Sequence, residues 1–168
     1  MACDSEKFYL GKKMAIISLS DLLSEPCDCI LLVHPDISML EKLSIEIQGL
    51  RISHLNISKE LSSSLINVSA GERSRFPHKW MVDTLATFQN DPVLCSTPDL
   101  LFDSSLKIDP LSLIRHVARI KKLIVLWPGE FDSNILSYAM PDHHHYRTWK
   151  ITEDLLQQPS LKIHRISG

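Results

Sequence analysis

The sequence lacks the long apolar segment that a membrane-spanning helix requires. No uninterrupted apolar run approaches the roughly 18 residues needed to cross a bilayer. The first residues are acidic and polar, unlike the basic start of a secretory signal peptide. We therefore expect a cytoplasmic protein that has no membrane partner.

The chain also lacks an excess of charge of either sign. Its 18 Lys and Arg residues nearly balance its 20 Asp and Glu residues, which gives a formal net charge of −2. A chain with this charge has no bulk attraction for phosphate backbones. Nucleic acid is therefore a partner that the charge does not indicate.

Cysteine is scarce, and its spacing does not suit a zinc site. Among Cys3, Cys27, Cys29 and Cys95, only Cys27 and Cys29 lie close together, and no second pair accompanies them. Cys29 and Cys95 lie in apolar runs that are typical of strands. We therefore expect buried, inert thiols.

Aromatic residues make up only 7% of the chain, so its core must be mostly aliphatic. A length of 168 residues, with 44% hydrophobic and 23% charged residues, is typical of one soluble globular domain. We interpret residues 1–168 as a single domain in which residues 1–15 are a polar lead-in.

What the sequence does contain is an alternation of apolar strands and amphipathic helices. Strands are predicted at 29–33, 50–57, 92–97, 122–127 and 161–166. Helices are predicted at 18–25, with Ser20 or Asp21 as N-cap, and at 37–49, 58–65, 72–89 and 110–121. This alternation predicts an α/β three-layer sandwich with a mostly parallel sheet of about five strands.

The turn after the first strand, residues 34–41, is where such a sheet would bind a ligand. A phosphate loop needs glycines whose backbone amides surround the phosphates, together with a Lys and a Ser or Thr. This turn contains neither glycine nor lysine, and reads His34, Pro35, Asp36, Ile37, Ser38, Met39, Leu40, Glu41. Since Asp36 and Glu41 would repel phosphate, we expect no nucleotide cofactor here.

Several short motifs in the carboxyl half carry a family resemblance. They are Asp99-Leu-Leu-Phe-Asp, Leu106-Lys-Ile-Asp-Pro-Leu, Trp127-Pro-Gly-Glu-Phe-Asp, Leu136-Ser-Tyr-Ala-Met-Pro-Asp and Tyr146-Arg, with Asn56-Ile-Ser-Lys-Glu-Leu and Arg73 and Arg75 before them. Across residues 29–147 the chain resembles BrxF, the small P-loop protein of some BREX phage-defence systems. The resemblance implies a P-loop NTPase-like fold.

Departures from the family pattern lie at its nucleotide positions. Leu40 stands where the resemblance places the phosphate-binding lysine, and Glu41 where it places the magnesium-binding hydroxyl. Ser96 takes the place of the acidic residue that ends the third strand, and Pro128 replaces a polar residue at the end of the fourth. The resemblance therefore implies a degenerate nucleotide site, which also includes His34, Pro35, Asp36, Ser38 and Asp99.

These departures favour a pseudo-ATPase over an enzyme. The resemblance implies a non-catalytic, structural or regulatory subunit of a bacterial antiviral (BREX-like) defence system. Its partners would be other proteins of the defence complex, and self-association into a homo-oligomer stays open. One alternative is a nucleotide-binding or NTPase subunit that holds ATP and Mg²⁺ in a composite site. The other is a DNA-binding accessory module.

Basic residues supply the contacts for both alternatives. Arg73, Arg75 or Arg119 would reach into a neighbour's pocket in a composite site. Arg115, Arg119, Lys121 and Lys122 form the one dense basic patch, a candidate contact for phosphates or for an acidic partner. The simpler interpretation is a solvated helix end that complements the helix dipole.

Carboxylates and histidines offer candidate metal ligands. Asp99, Asp103, Asp109, Glu130 and Asp132 follow the third or fourth strand and could hold magnesium, although N-caps and turn acids explain them more simply. Adjacent histidines such as those of the 143–145 tract rarely converge on one ion. We therefore predict no metal site and a solvated histidine loop.

Overall fold

The computed structural model describes residues 8–10 and 15–167, with side chains from Ser18 onward. The described strands are β1 (Phe8–Leu10), β2 (Ala15–Ile17), β3 (Cys29–His34), β4 (Ser53–Asn56), β5 (Val93–Ser96), β6 (Leu123–Pro128), β7 (Phe131–Asp132), β8 (Ile135–Tyr138), β9 (Arg147–Lys150) and β10 (Leu161–Ser167). The helices are α1 (Leu19–Leu23), α2 (Ile37–Gln48), α3 (Ile57–Leu65), α4 (Phe76–Ala86), α5 (Pro110–Ala118) and α6 (Glu153–Gln157). Short 3-10 turns span Asp99–Phe102 and Ser104–Leu106.

A seven-stranded sheet forms the centre, in the order β2-β1-β10-β3-β6-β5-β4. The five strands from β10 to β4 are parallel, while β1 and β2 form an antiparallel extension at one edge. Every residue of β6 is buried, as is all of β3 except His34. Such unbroken apolar runs are typical of strands covered on both faces. The predicted mostly parallel sheet of about five strands is confirmed.

Helices cover both faces of this sheet. Ile30 and Leu32 of β3 pack with α1 and α2, whereas Leu31 and Val33 pack with α3, α4 and α5. Successive side chains of a strand point to opposite faces. The helices therefore lie on both sides of the sheet, in the three layers that the alternation of strands and helices predicts.

Helix boundaries follow from their caps. Asp109 accepts a hydrogen bond from the Ser112 amide and Pro110 begins α5, which confirms the predicted start. The helix predicted at 72–89 is too long, because turns occupy residues 72–75 and α4 begins with Phe76 and Pro77. The predicted N-cap of α1 is also wrong, since Ser18 is the residue that accepts from the Asp21 amide.

The second parallel strand is shorter than predicted at both ends. Arg51 adopts a left-handed conformation (φ 60°) in the turn before it, so pairing begins only at Ser53. At the other end, the Asn56 side chain accepts from the Lys59 amide and caps α3. Ile57 therefore belongs to the helix.

A small antiparallel sheet, β7-β8-β9, was not predicted. Its strands have two to four residues, too few to show an alternating pattern, and β9 alternates intermediate with exposed positions. It joins the core through aromatic rings. Tyr138 stacks on Phe102 at a centroid distance of 3.6 Å, and Trp149 meets Trp127 edge-on at 5.3 Å.

Much of the predicted polar lead-in, including Cys3, lies outside the described residues. Within it, β1 pairs with β2 and β10, which the sequence pattern did not predict.

Cys27, Cys29 and Cys95 are buried free thiols, and burial raises the pKa of each, as expected of inert cysteines. No helix in the described part of the chain is long and apolar enough to cross a membrane.

Candidate functional site

A cavity of about 380 Å³ opens at the carboxyl edge of the parallel sheet. One wall is α2, and the other is formed by the ends of β4, β5 and β6 together with residues 97–99. Small-molecule and side-chain pockets in proteins begin at roughly 300 Å³. The volume is therefore sufficient for a small ligand or for one long side chain of a partner.

The topology explains why a cavity forms there. After β3 the chain crosses to one face of the sheet as α2, whereas after β4 and β5 it crosses to the opposite face as α3 and α5. The β3 and β6 strands are neighbours at the point where the crossover side changes. Open α/β sheets bind their ligands in the crevice at such a switch point.

The turn between β3 and α2 is closed by its own side chains. The Asp36 carboxylate accepts from the Ser38 amide and from the Ser38 hydroxyl, both at 2.8 Å. The Asp36 amide donates to Nδ1 of His34 at 2.9 Å. The hydrogen bonds from the Ser38 hydroxyl and amide lower the pKa of Asp36. An anionic carboxylate therefore occupies the amino end of α2, the position at which helix amides bind phosphate in other proteins.

A histidine and a serine face each other in the strand wall of the cavity. Nε2 of His54 lies 2.7 Å from Oγ of Ser96, and Ser96 is 6% exposed. Burial lowers the pKa of His54, so the imidazole is neutral at pH 7. Within the described chain no carboxylate is hydrogen-bonded to His54, so this pair lacks the orienting third member of a hydrolytic triad.

Asp99 links the cavity to the small antiparallel sheet. The Tyr138 hydroxyl donates to Oδ1 of Asp99 at 3.1 Å. Burial, followed by the charge of Asp99, raises the pKa of Tyr138, so the phenol remains a proton donor at neutral pH. Asp99 also lines a second cavity of about 470 Å³, which shares Ile37 and Pro128 with the first. We call the two together the carboxyl-edge groove.

The structure brings together five of the nine residues that the resemblance assigned to the degenerate nucleotide site. Leu40, Glu41, Ser96, Asp99 and Pro128 all line the first cavity. The others, His34, Pro35, Asp36 and Ser38, form the adjoining turn, and of these Pro35 lines the second cavity.

Sequence reasoning missed several lining residues. His54, Ser44 and Gln48 contribute to the first cavity and Tyr138 to the second. His54 lies within the predicted strand 50–57, and a polar residue in that run was a signal that could have identified it. Tyr138 reaches Asp99 only through the unpredicted small sheet, so no local pattern indicated its role.

The predicted basic patch lies away from the groove, and three of its four residues donate to backbone carbonyls. Lys122, which precedes β6, donates to the carbonyls of Leu23 and Glu25 at 3.0 and 2.5 Å. Lys121 donates to the Phe88 carbonyl at 2.8 Å, and Arg115 to the Gln158 carbonyl at 3.1 Å. These contacts join loops at the amino edge of the sheet. Arg73, Arg75 and Arg119 are exposed and line neither cavity of the groove.

The predicted carboxylates do not gather around one point. Asp103 accepts from the Ser105 amide, and Asp109 acts as the predicted N-cap. Asp132 lies 3.7 Å from Arg165, and the Glu130 backbone pairs with Ser137. Among the described residues no three His, Cys, Asp or Glu side chains are grouped to share a metal ion.

In the 143–145 tract the rings of His143 and His144 are stacked, whereas the ring of His145 is tilted by 47° to both. The ring centroids of His143 and His144 lie 4.8 Å apart, and those of His144 and His145 lie 4.1 Å apart. His143 and His144 are exposed, as expected of the solvated loop that the sequence predicted.

Comparison of the chain with protein-family models, with curated proteins and with solved structures finds no match. The geometry of the groove and the sequence motifs therefore carry the functional inference.

Proposed function

We propose that this chain is a non-catalytic, structural or regulatory subunit of a bacterial antiviral defence complex of the BREX type. The chain itself is a degenerate P-loop NTPase-like domain, and it acts by binding other proteins. Its partners are other protein components of that complex, and its place of action is the cytoplasm. The resemblance to BrxF supplies the biological setting of this proposal.

The observation that carries the non-catalytic part is the capped amino end of α2. Only Pro35 and Asp36 separate β3 from α2. The negatively charged Asp36 carboxylate already accepts the hydrogen bond of the Ser38 amide. A phosphate placed there would lose that amide and would meet carboxylate repulsion. The lysine and the hydroxyl that would hold phosphate and magnesium are replaced by Leu40 and Glu41.

The chemistry at the rest of the groove also favours binding over catalysis. His54 and Ser96 are paired without an orienting carboxylate within the described chain, and Asp99 is held by Tyr138. These side chains hydrogen-bond to one another. A groove of this kind can recognise a partner, and recognition requires no proton transfer.

The test is assembly with the proteins encoded beside this chain. We expect co-expression to give a complex that co-migrates in size-exclusion chromatography and whose mass, measured by light scattering, is the same with and without ATP and Mg²⁺. A complex that forms only with ATP and Mg²⁺ would instead favour the composite nucleotide site. ATP turnover by the purified chain that is lost in Asp99→Asn or Glu130→Gln would overturn the proposal.

A further inference from the structure

The carboxyl-edge groove combines an exposed apolar rim with a polar interior. On α2, Ile37 is 56% exposed and Ile45 is 70% exposed, and both line the first cavity. Met140, which is 50% exposed, lines the second cavity. Exposed apolar side chains gathered around a cavity are typical of a surface that another protein covers.

The charge of the groove is of one sign. Glu41 and Asp99 line the first cavity and Asp142 lines the second, and neither lining contains a lysine or an arginine. His54 adds no positive charge, because burial keeps its imidazole neutral at pH 7. His143 and His144, which line the second cavity, are exposed. Because the acidic side chains of the lining have no lysine or arginine beside them, the groove complements a cation and disfavours an anion.

The two carboxylates face the same cavity from opposite walls. Glu41 projects from α2 and has no salt bridge or side-chain hydrogen bond to any residue that the structure describes. Asp99 follows β5, and Tyr138 holds one of its oxygens at 3.1 Å, which fixes the carboxylate and leaves the other oxygen as an acceptor. At the carboxyl end of α2, Gln48, which also lines this cavity, donates its amide to Ser44 at 2.9 Å and so leaves its amide oxygen as an acceptor.

We propose that this groove binds a segment of a partner protein that inserts an arginine side chain between Glu41 and Asp99. Acceptors on two walls suit a guanidinium, whose five N–H donors form a planar fork, better than an ammonium, which acts as a point charge. The buried side chains of Leu40, Leu126 and Pro128 supply an apolar floor for the methylene stem. Apolar residues on either side of the arginine would cover Ile37 and Ile45. This inference rests on the proposed role in protein–protein interaction and names the chemistry of that contact.

The probe is a blocked tripeptide, acetyl-Leu-Arg-Leu-amide, titrated into the ¹⁵N-labelled full chain and followed by amide chemical shifts. The matched peptides carry citrulline, the neutral isostere of arginine, or glutamate at the centre. We expect the arginine peptide to shift amides of residues 37–48 and 96–99, with an affinity about 10-fold higher than that of the citrulline peptide. The glutamate peptide should bind more weakly still.

Two variants and one control locate the contact. Glu41→Gln and Asp99→Asn should each weaken the arginine peptide about 5- to 10-fold, with little effect on the citrulline peptide. Glu153→Gln changes an exposed carboxylate on α6 that lines neither cavity, so it should leave both affinities unchanged. A dispersed amide spectrum of each variant shows that it is folded, which separates lost binding from lost structure.

The outcomes distinguish this inference from the proposed function on which it rests. Equal binding of the arginine and citrulline peptides, or binding of neither up to about 10 mM, would overturn the arginine site. Such a result leaves protein–protein interaction intact. Shifts at residues 34–38 on addition of ATP and Mg²⁺ would instead contradict the proposed function. A concentration-dependent dimer that Glu41→Gln abolishes would also overturn the arginine proposal, because a second copy of the chain would then occupy the groove.

Discussion

The two edges of the parallel sheet use their polar side chains in opposite ways. At the amino edge, Lys121 and Lys122 donate to backbone carbonyls, and the Asp28 carboxylate accepts from the Ser160 amide at 2.8 Å, which ties the starts of β3 and β10 together. At the carboxyl edge, Glu41 and Asp99 line a groove. Lys121 and Lys122, which look like part of a binding patch in the sequence, thus have a structural role, whereas Glu41 and Asp99 line the groove for which we propose a partner.

The largest effect is expected where the groove depends on a close backbone approach. A Cβ on Gly129 would lie 1.9 Å from the carbonyl oxygen of Ser137, which also accepts from the Trp127 indole at 2.8 Å. Since backbone must move to relieve that overlap, Gly129→Ala should lower the free energy of unfolding by about 3 kcal/mol. Urea denaturation measures this change.

Gly71→Ala is the matched control for that substitution. A Cβ at Gly71 meets no atom within 4 Å, so the change should shift the free energy of unfolding by less than about 0.5 kcal/mol. Equal effects of the two substitutions would contradict the close approach of Gly129 to the Ser137 carbonyl.

A direct comparison of the edges uses one cation and one carboxylate. Lys122→Met removes a charged donor from the carbonyls of Leu23 and Glu25, and should cost about 2 kcal/mol of unfolding free energy. Glu41→Gln, at the groove, should change it by less than about 0.5 kcal/mol. If Glu41→Gln were the more destabilising variant, the assignment of the two edges would be reversed.

A smaller effect is expected from the carboxylate that caps α2. Hydrogen bonds from Ser38 lower the pKa of Asp36, and those from Ser105 lower the pKa of Asp103. Such depressed values stabilise the fold above the unfolded pKa of about 3.9, and this contribution is lost as pH falls through the folded values. The midpoint of urea denaturation, measured at about pH 7, 5 and 3, should therefore fall more with decreasing pH in the parent than in the double variant Asp36→Asn/Asp103→Asn. In that variant the asparagines keep the caps but do not titrate. Parallel curves would contradict this account.

Much of the fold could be predicted because its signals are local. The apolar runs of β3 and β6 and the cap of α5 at Asp109 each lie within a few residues of sequence. The small sheet could not be predicted, since β7 has only two residues. The sheet is joined to the core by contacts between rings far apart in sequence, such as Tyr138 on Phe102.

The candidate site divides in the same way. Asp36 and Glu41 could be identified as unsuited to phosphate from the turn alone. The Asp99–Tyr138 contact joins residues 39 positions apart and depends on β8. The structural role of Lys122 depends on a carbonyl 99 positions earlier. Such long-range partners carry no sequence signal.

Calorimetric titration of the purified chain with ATP and Mg²⁺ tests the central claim most directly. Titrations at two temperatures are needed, because a binding enthalpy can vanish at one of them. We predict no saturable heat up to millimolar ATP, since Asp36 occupies the amino end of α2 and the 34–41 turn contains no lysine. Saturable binding at either temperature would contradict a degenerate nucleotide site and would favour the nucleotide-binding alternative.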